Sequence, residues 1–423
     1  MDRIGVSGYC IRVVAIGLAA WLYWESLNSF LFDWWSIDGY PTYIAARLWL
    51  AGKHEAIYQL GLWVSEGGHP EWRRMLVAHG ILNAGTSFVY HPAYLLMMVP
   101  VALVLSFDEF VYFQLLLNAL AMGVIVMESL RLAGAANEDK RKLAAFLAVL
   151  SFPAIYAAYL GQNVLPVLAM MLLSWRLLQR RRYFLASTLA AISIAMKAWV
   201  APVIAMALFM HGVAACVIGV TVLTFVLVLF PLLACPDLIQ PYLDVVAKLT
   251  CITVFPYNNI SVRAGLARLA DNDWINHVYK WVPIVVPSGV RLAETMFVSV
   301  TMLVAGLAWY LRRPAPNAAF VAALTLLLIM PSVCWTHYLV FVIPAAIWLA
   351  LRAGGWRAGL GFVMLTMLAV PAHPLPGSIL PRIHFSEFVE RSPELLAWIL
   401  VLPMLVIVLS GLSVLLAGRN TTP

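Results

Sequence analysis

Asp38 is the carboxylate best placed to take a proton from a hydroxyl. It lies in the stretch Asp33-Trp34-Trp35-Ser36-Ile37-Asp38-Gly39-Tyr40-Pro41-Thr42-Tyr43, just ahead of a short helix expected between Pro41 and Gly52. Proline suits a first helical turn and glycine a C-terminal stop. At that position Asp38 has two readings. One is a helix cap or dipole partner. The other is a general base held by backbone at the membrane surface. Lys197 is the complementary charge, set in the apolar stretch Ala195-Met196-Lys197-Ala198-Trp199. It either snorkels to the interface or holds a phosphate as a compact cation. Intramembrane lysines default to function, which favours the phosphate.

Other polar residues interrupt the apolar sequence at a few points. Phe88-Val89-Tyr90-His91-Pro92 opens an apolar run, and Tyr90 and His91 are either a plain helix start or contacts for a sugar or acceptor. Gly161-Gln162-Asn163 divides two apolar runs. Gly and Asn suit a turn, while the side chains of Gln162 and Asn163 suit sugar hydroxyls. The same two readings apply to Asn258, Asn259 and Ser261, which precede Arg263 and Arg268. His337 stands in Cys334-Trp335-Thr336-His337-Tyr338. A lone histidine at a helix start is usually structural, but this one shares its side of the membrane with Asp38 and Lys197.

The elements that must position these groups are membrane helices. Of 423 residues, 63% are hydrophobic and 11% charged, and the mean hydropathy is +0.89. Soluble domains carry about a quarter charged residues, so a soluble enzyme, a disordered chain and a fibre are excluded. The net charge of +7 comes from Lys and Arg at the ends of apolar runs. That pattern sets topology and does not form a nucleic-acid-binding face. The five cysteines form no CxxC pair and the histidine spacing gives no zinc motif, so no metal is expected. Cys235 and Cys251 could pair on an oxidising side; isolated thiols are the simpler expectation. Val13–Phe32 reads as an uncleaved first span.

Apolar runs follow at 91–106, 110–130, 143–160, 164–178, 183–196, 199–210, 213–234, 285–311, 318–331, 338–351, 360–370 and 395–416. Together these give an all-α, polytopic protein with about 11–13 transmembrane or re-entrant helices, in a single domain over 1–423. Lys/Arg bias puts Arg180–Arg182, Arg312–Arg313, Arg352 with Arg357, and Arg419 inside. Counting crossings then puts outside the first loop (33–90), the turn at 161–163, the polar segment 235–284, the turn at 332–337 and the loop 372–393. One conflict remains: Lys140–Lys142 also read as inside, which fails if both 91–106 and 110–130 cross. Either 91–106 is a re-entrant or interfacial helix, or the Lys140 cluster breaks the rule.

The order and spacing of these elements resemble a family. Asp38, Tyr43, Ala45-Ala46 and Gly52 match an Asp-x4-Tyr-x-Ala-Ala-x5-Gly opening. Phe88 to Pro92 resembles a Phe-x-Tyr-x-Pro element, and Gly161-Gln162-Asn163 a Gly-Gln-x-Asn turn, with Asn163 directly after Gln162. Ala195-Met196-Lys197 resembles a lysine-bearing helix, with Ala198 where proline is usual. Asn259-x-Ser261 and Trp335-x-His337-Tyr338 resemble later polar elements. Over roughly residues 20–350 the chain thus resembles glycosyltransferase family 87, polytopic enzymes of GT-C type that include polyprenol-phosphate-mannose-dependent mannosyltransferases. The resemblance implies a bacterial inner-membrane enzyme whose site faces the periplasm. It would move a sugar, mannose first, from a polyprenyl-phosphate donor to a hydroxyl on a glycolipid or glycan acceptor. Asp38 would be the base. Lys197, His337, Arg263 and Arg268 would hold the donor phosphate, and Tyr43, Tyr90, His91, Gln162, Asn163, Asn258, Asn259 and Ser261 would hold sugar or acceptor. No cofactor is implied, because the leaving group is already a phosphate monoester. The rival class is a transporter or flippase for a lipid-linked sugar. It suits broken helices and a buried lysine, but calls for paired repeats and midplane charges that the sequence lacks. A membrane scaffold would leave the one-sided polar residues without a purpose.

Overall fold

The computed structural model describes residues 38–58, 69–79, 88–134, 136–254, 259–271, 284–369 and 393–417, with backbone only for 393–402. The expected first span at 13–32 and the loop at 372–393, apart from the residue that opens the last helix, lie outside the described residues. The regular structure of the described residues is helical apart from one two-residue antiparallel pair, β1 (Ile252–Thr253) with β2 (Ile284–Val285), in the polar segment, and an isolated antiparallel bridge between Asn259 and Trp335.

The helices on the N-terminal side of the site are α1 (Tyr40–Leu50), α2 (Pro70–Ala78), α3 (Pro92–Val104), α4 (Phe107–Ala133), α5 (Glu138–Val149), α6 (Phe152–Tyr159), α7 (Val164–Gln179) and α8 (Tyr183–Met196). Each start has a local cause. Ser106 and Glu109 form a reciprocal capping box at α4. Asn137 caps α5 by accepting from Asp139 and Lys140 backbone N–H groups. The His91 ring accepts from Ala93 N–H at the start of α3. Leu150 ends α5, Ser151 is the N-cap of α6, and Pro153 in the first turn of α6 marks a break inside the apolar stretch 138–159.

The second half continues through α9 (Ala201–Met210), α10 (Val213–Thr224), α11 (Phe230–Ala234), α12 (Ile239–Cys251), α13 (Val262–Ala270), α14 (Ser288–Arg312), α15 (Pro316–Leu326), α16 (Ile343–Arg352), α17 (Trp356–Ala369) and α18 (Pro393–Ala417). A π-helical segment, Phe225–Leu229, joins α10 to α11, so 213–234 runs as one apolar rod. Among the described residues four stretches are long and apolar enough to cross a membrane: 107–133, 138–159, 213–234 and 288–312. The shorter apolar helices pack side by side, as expected of pieces that cannot cross alone. The last two long stretches are mostly exposed in the protein and suit a lipid-facing position.

The polar contacts place the helix ends relative to one another. At the end of α4, Arg131 pairs with Glu128 at 2.5 Å and donates to Gln179 at the end of α7. Arg176 also pairs with Glu128. Gln179 and Trp175 in turn bond Asn317 at the start of α15. These are the ends that the Arg180–Arg182 and Arg312–Arg313 anchors put inside. The Ala133 end of α4 therefore lies with these ends, and its Ser106 end lies on the opposite side. The start of α3 lies on the Ser106 side too, because His91 N–H donates to Ala195 O beside Lys197. With both ends on one side, α3 does not cross. At 13 residues and 1.5 Å each it spans about 20 Å, short of the bilayer core. That placement fits a re-entrant or interfacial helix, the alternative under which the Lys140 cluster keeps to the charge rule.

Helix α1 is seated inward as well as at the surface. Tyr40 to Ala46 and Leu48 are all buried, and Arg47 and Tyr43 bond the carbonyls of Ala102 and Leu105 at the end of α3. Farther away, α16 and α17 touch through Gly361. A Cβ there would lie 2.7 Å from Ala346 O and would also strike Ala350 N. Gly361→Ala is therefore expected to cost about 1–3 kcal/mol, read as a lower unfolding temperature in detergent, and an unchanged temperature would show that the helices part freely.

Candidate active site

The site begins with two backbone ties. Asp38 N–H donates to Leu160 O at 2.9 Å, fixing the residue against the end of α6. The chain then turns through Gly161 at φ +67°, where glycine is the natural choice, and Gln162 N–H donates to Ala157 O at 2.9 Å. The turn thus holds Asp38 and Gln162 together. The side chain of Gln162 hydrogen-bonds Asp38, and its Oε1 accepts from Lys197 Nζ at 3.3 Å. Asp38 does not cap α1. The cap position belongs to Gly39, with no side-chain bond, so the capping reading fails and the carboxylate faces the site.

Lys197 follows the last turn of α8 in extended conformation, φ −146° and ψ 91°, before a 3-10 turn at Ala198–Val200. That break turns the side chain inward, where it is 8% exposed, so it does not snorkel. Its Nζ donates to Tyr338 Oη at 3.1 Å and lies 5.1 Å from the ring centres of both Tyr90 and Tyr338. Such cation–π contacts stabilise a desolvated ammonium by about 2 kcal/mol. Trp199 stacks on Tyr338 at 5.3 Å. His337 is 1% exposed, senses the Lys197 charge and packs edge-on to Tyr156. Neither of its ring nitrogens has a hydrogen-bond partner. Buried polar atoms of that kind call for an explanation such as a ligand. Burial pushes the Asp38 carboxyl up from the ordinary aspartate range, while the Gln162 hydrogen bond and the Lys197 charge pull it back.

The other expected contacts divide. Tyr90 belongs to the group: its ring flanks Lys197 and its hydroxyl senses the Asp38 charge, while its carbonyl accepts from Tyr58 Oη. Asn163 bonds the Tyr94 hydroxyl, which also bonds Thr42 in α1, and its Oδ1 is buried without a partner. His91 caps α3 and packs on Tyr242. The Tyr43 hydroxyl is taken up by Leu105 O, and its ring lies among His79, Phe107 and Phe110.

The expected donor cations Arg263 and Arg268 and the expected sugar contacts Asn259 and Ser261 turn out to brace the polar segment. Asn259 Nδ2 donates to Val254 O, and its Oδ1 accepts from the N–H groups of Ser261 and Cys334. Ser261 caps α13 and donates to Ser332 O. Arg268 donates to Asn259 O. Arg263 pairs with Glu294 at 2.7 Å and donates to the carbonyls of Thr250 and Ile252. A neutralised arginine has little charge left for a phosphate. Glu294→Ala strands that buried cation and is expected to cost about 3–5 kcal/mol, most of it regained by making Arg263→Met as well. Unfolding temperatures of the single and double variants check this. Asn258 lies outside the described residues. Cys235 is buried and Cys251 exposed, both as free thiols.

Tyr338 is the contact that sequence reading did not single out as a site residue. It was visible only as the last residue of Trp-x-His-Tyr, beside the histidine that drew attention. Among the described residues no three His, Cys, Asp or Glu side chains converge on a metal position.

Helices too short to cross alone, gathered round a charged group on one side, define a polytopic all-α membrane protein. The chain belongs to glycosyltransferase family 87, whose model matches residues 88–333, and it is a membrane glycosyltransferase. The match takes in Tyr90, Gln162 and Lys197. It leaves out the opening element around Asp38 and stops just before His337, so it is shorter than the resemblance read from the motifs. No curated protein and no solved structure matches the chain.

Proposed function

We propose that the enzyme moves a sugar, mannose first, from a polyprenyl-phosphate donor to a hydroxyl of a lipid or glycan acceptor at the periplasmic face of a bacterial inner membrane. The observation that carries this reading is Gln162 joining the Asp38 carboxylate to the Lys197 ammonium. Asp38 takes the acceptor proton as the hydroxyl oxygen attacks the anomeric carbon. The bond from that carbon to the phosphate oxygen breaks, and its electron pair leaves with polyprenyl phosphate. Lys197 balances the charge gained by the phosphate, and the unpartnered ring of His337 supplies a hydrogen bond to it. No metal is demanded, since one ammonium and one imidazole suffice for a monophosphate leaving group. The donor's chain lies in the bilayer against the exposed apolar helices.

Purified protein in lipid nanodiscs with polyprenyl-phosphate mannose and a membrane-lipid acceptor pool is expected to release polyprenyl phosphate and label the acceptor. Donor that crosses proteoliposomes uncleaved would instead support a flippase. Activity needs ionised Asp38, and burial raises its titration. Turnover is therefore expected to fall as the pH drops through a range above that of an ordinary aspartate. An acid limb in the ordinary range would place the base in solvent.

A further inference from the structure

Gln162 carries more than a sugar contact. Its Oε1 accepts from the Lys197 ammonium, which can only donate, and its amide faces a carboxylate, which when ionised can only accept. One amide orientation serves both, with Oε1 toward Lys197 and Nε2 toward Asp38. Among the described residues no ion pair joins Asp38 directly to Lys197, so the amide is the physical link between the two charges. The backbone reinforces it, because Asp38 N–H is tied to Leu160 and Gln162 N–H to Ala157, on either side of the Gly161 turn. Both hydrogen-bonding ends of the side chain are thereby spoken for, and the residue is 5% exposed.

We propose that Gln162 is a positioning residue for the transfer reaction: it holds the base and the phosphate-binding cation a fixed amide's length apart. This rests on the glycosyl-transfer reading above. A hydrogen bond given to a carboxylate also favours its charged form. A fixed separation matches the geometry of the step. The acceptor hydroxyl must be deprotonated on one side of the anomeric carbon while the phosphate departs on the other, so base and cation must flank the sugar and not collapse onto each other. A direct Asp38–Lys197 contact would neutralise both groups and close the space between them. The groups that face Asp38 are Lys197 from the break after α8, Tyr90 from the loop before α3 and Tyr338 from the 3-10 segment Thr336–Val342, while His337 on that segment faces Lys197. Lys197 is the only cation among them when His337 is neutral, and Gln162 is the neutral donor.

Gln162→Leu removes the donor and keeps the bulk. It is expected to lower kcat by about 10- to 100-fold, the loss typical of a hydrogen bond to a charged group. The acid limb of the kcat profile is expected to move to higher pH, with donor Kd changed by only a few-fold. A merely structural role would lower kcat without moving the limb, and that result overturns the proposal. Gln162→Glu gives a second reading should Gln162→Leu fold poorly. Ionised glutamate still accepts from Lys197 but cannot donate to Asp38, so the limb again moves up, and an unmoved limb overturns the proposal. The Asp38 carboxyl band, taken as the infrared difference between each protein and its Asp38→Asn form, follows the same titration without turnover. If the parent protein cleaves no polyprenyl-phosphate sugar, the transfer reading fails; if it does so and the band of Gln162→Leu titrates as in the parent, the positioning role alone fails.

Discussion

Asp38→Asn is expected to lower turnover by about 10²–10⁴-fold, the range of a general base, with donor binding retained. Asparagine keeps the size of the residue, and its carbonyl can still accept from Gln162. The backbone bond from residue 38 to Leu160 is untouched, so the α1–α6 contact survives. What is lost is the charge and the proton acceptor. Rapid-quench measurement of acceptor labelling, beside equilibrium binding of labelled donor, separates the two effects. Near-normal turnover would move the base elsewhere. Glu109 is a poor substitute because its carboxylate is held by Ser106 in the capping box.

Lys197→Met is expected to weaken donor binding by about 10- to 100-fold, again the scale of a hydrogen bond to a charged group. Methionine keeps the packing between the rings of Tyr90 and Tyr338 but offers the phosphate no charge. Arginine is no conservative replacement, since a planar fork does not fit where one compact ammonium lies between two rings. The variant also removes the positive charge that pulls the Asp38 titration down, so the acid limb of residual turnover is expected to rise. Donor affinity equal to the parent's would show that the phosphate binds elsewhere and that Lys197 serves only to hold Gln162 and Tyr338.

The helices were legible in the sequence because long apolar runs are local signals, and arginine anchors give an expected orientation in the same local way. Ser106-x-x-Glu109 marks its own helix start, and Arg180–Arg182 mark an inside end without reference to anything else. The status of 91–106 was not legible. It depends on Arg131 meeting Gln179, a contact across 48 positions. Asp38 and Lys197 stood out by residue type, and their meeting is a matter of tertiary packing. Lys197 bonds Gln162 across 35 positions and Tyr338 across 141, distances over which residue spacing says nothing. For the same reason Arg263 looked like a free cation until Glu294 was seen beside it. Asn259 looked like a sugar contact because its amide has the right chemistry, yet backbone groups of Val254, Ser261 and Cys334 use that chemistry first.

The most direct test is a structure of the protein with a polyprenyl-phosphate sugar bound. The phosphate is expected within hydrogen-bond reach of Lys197 Nζ and the His337 ring, with the anomeric carbon between Lys197 and Asp38 and with Gln162 still bonded to both. A phosphate seated against other arginines, with His337 empty and Lys197 holding only Gln162 and Tyr338, would contradict the assignment of this group as the reaction centre.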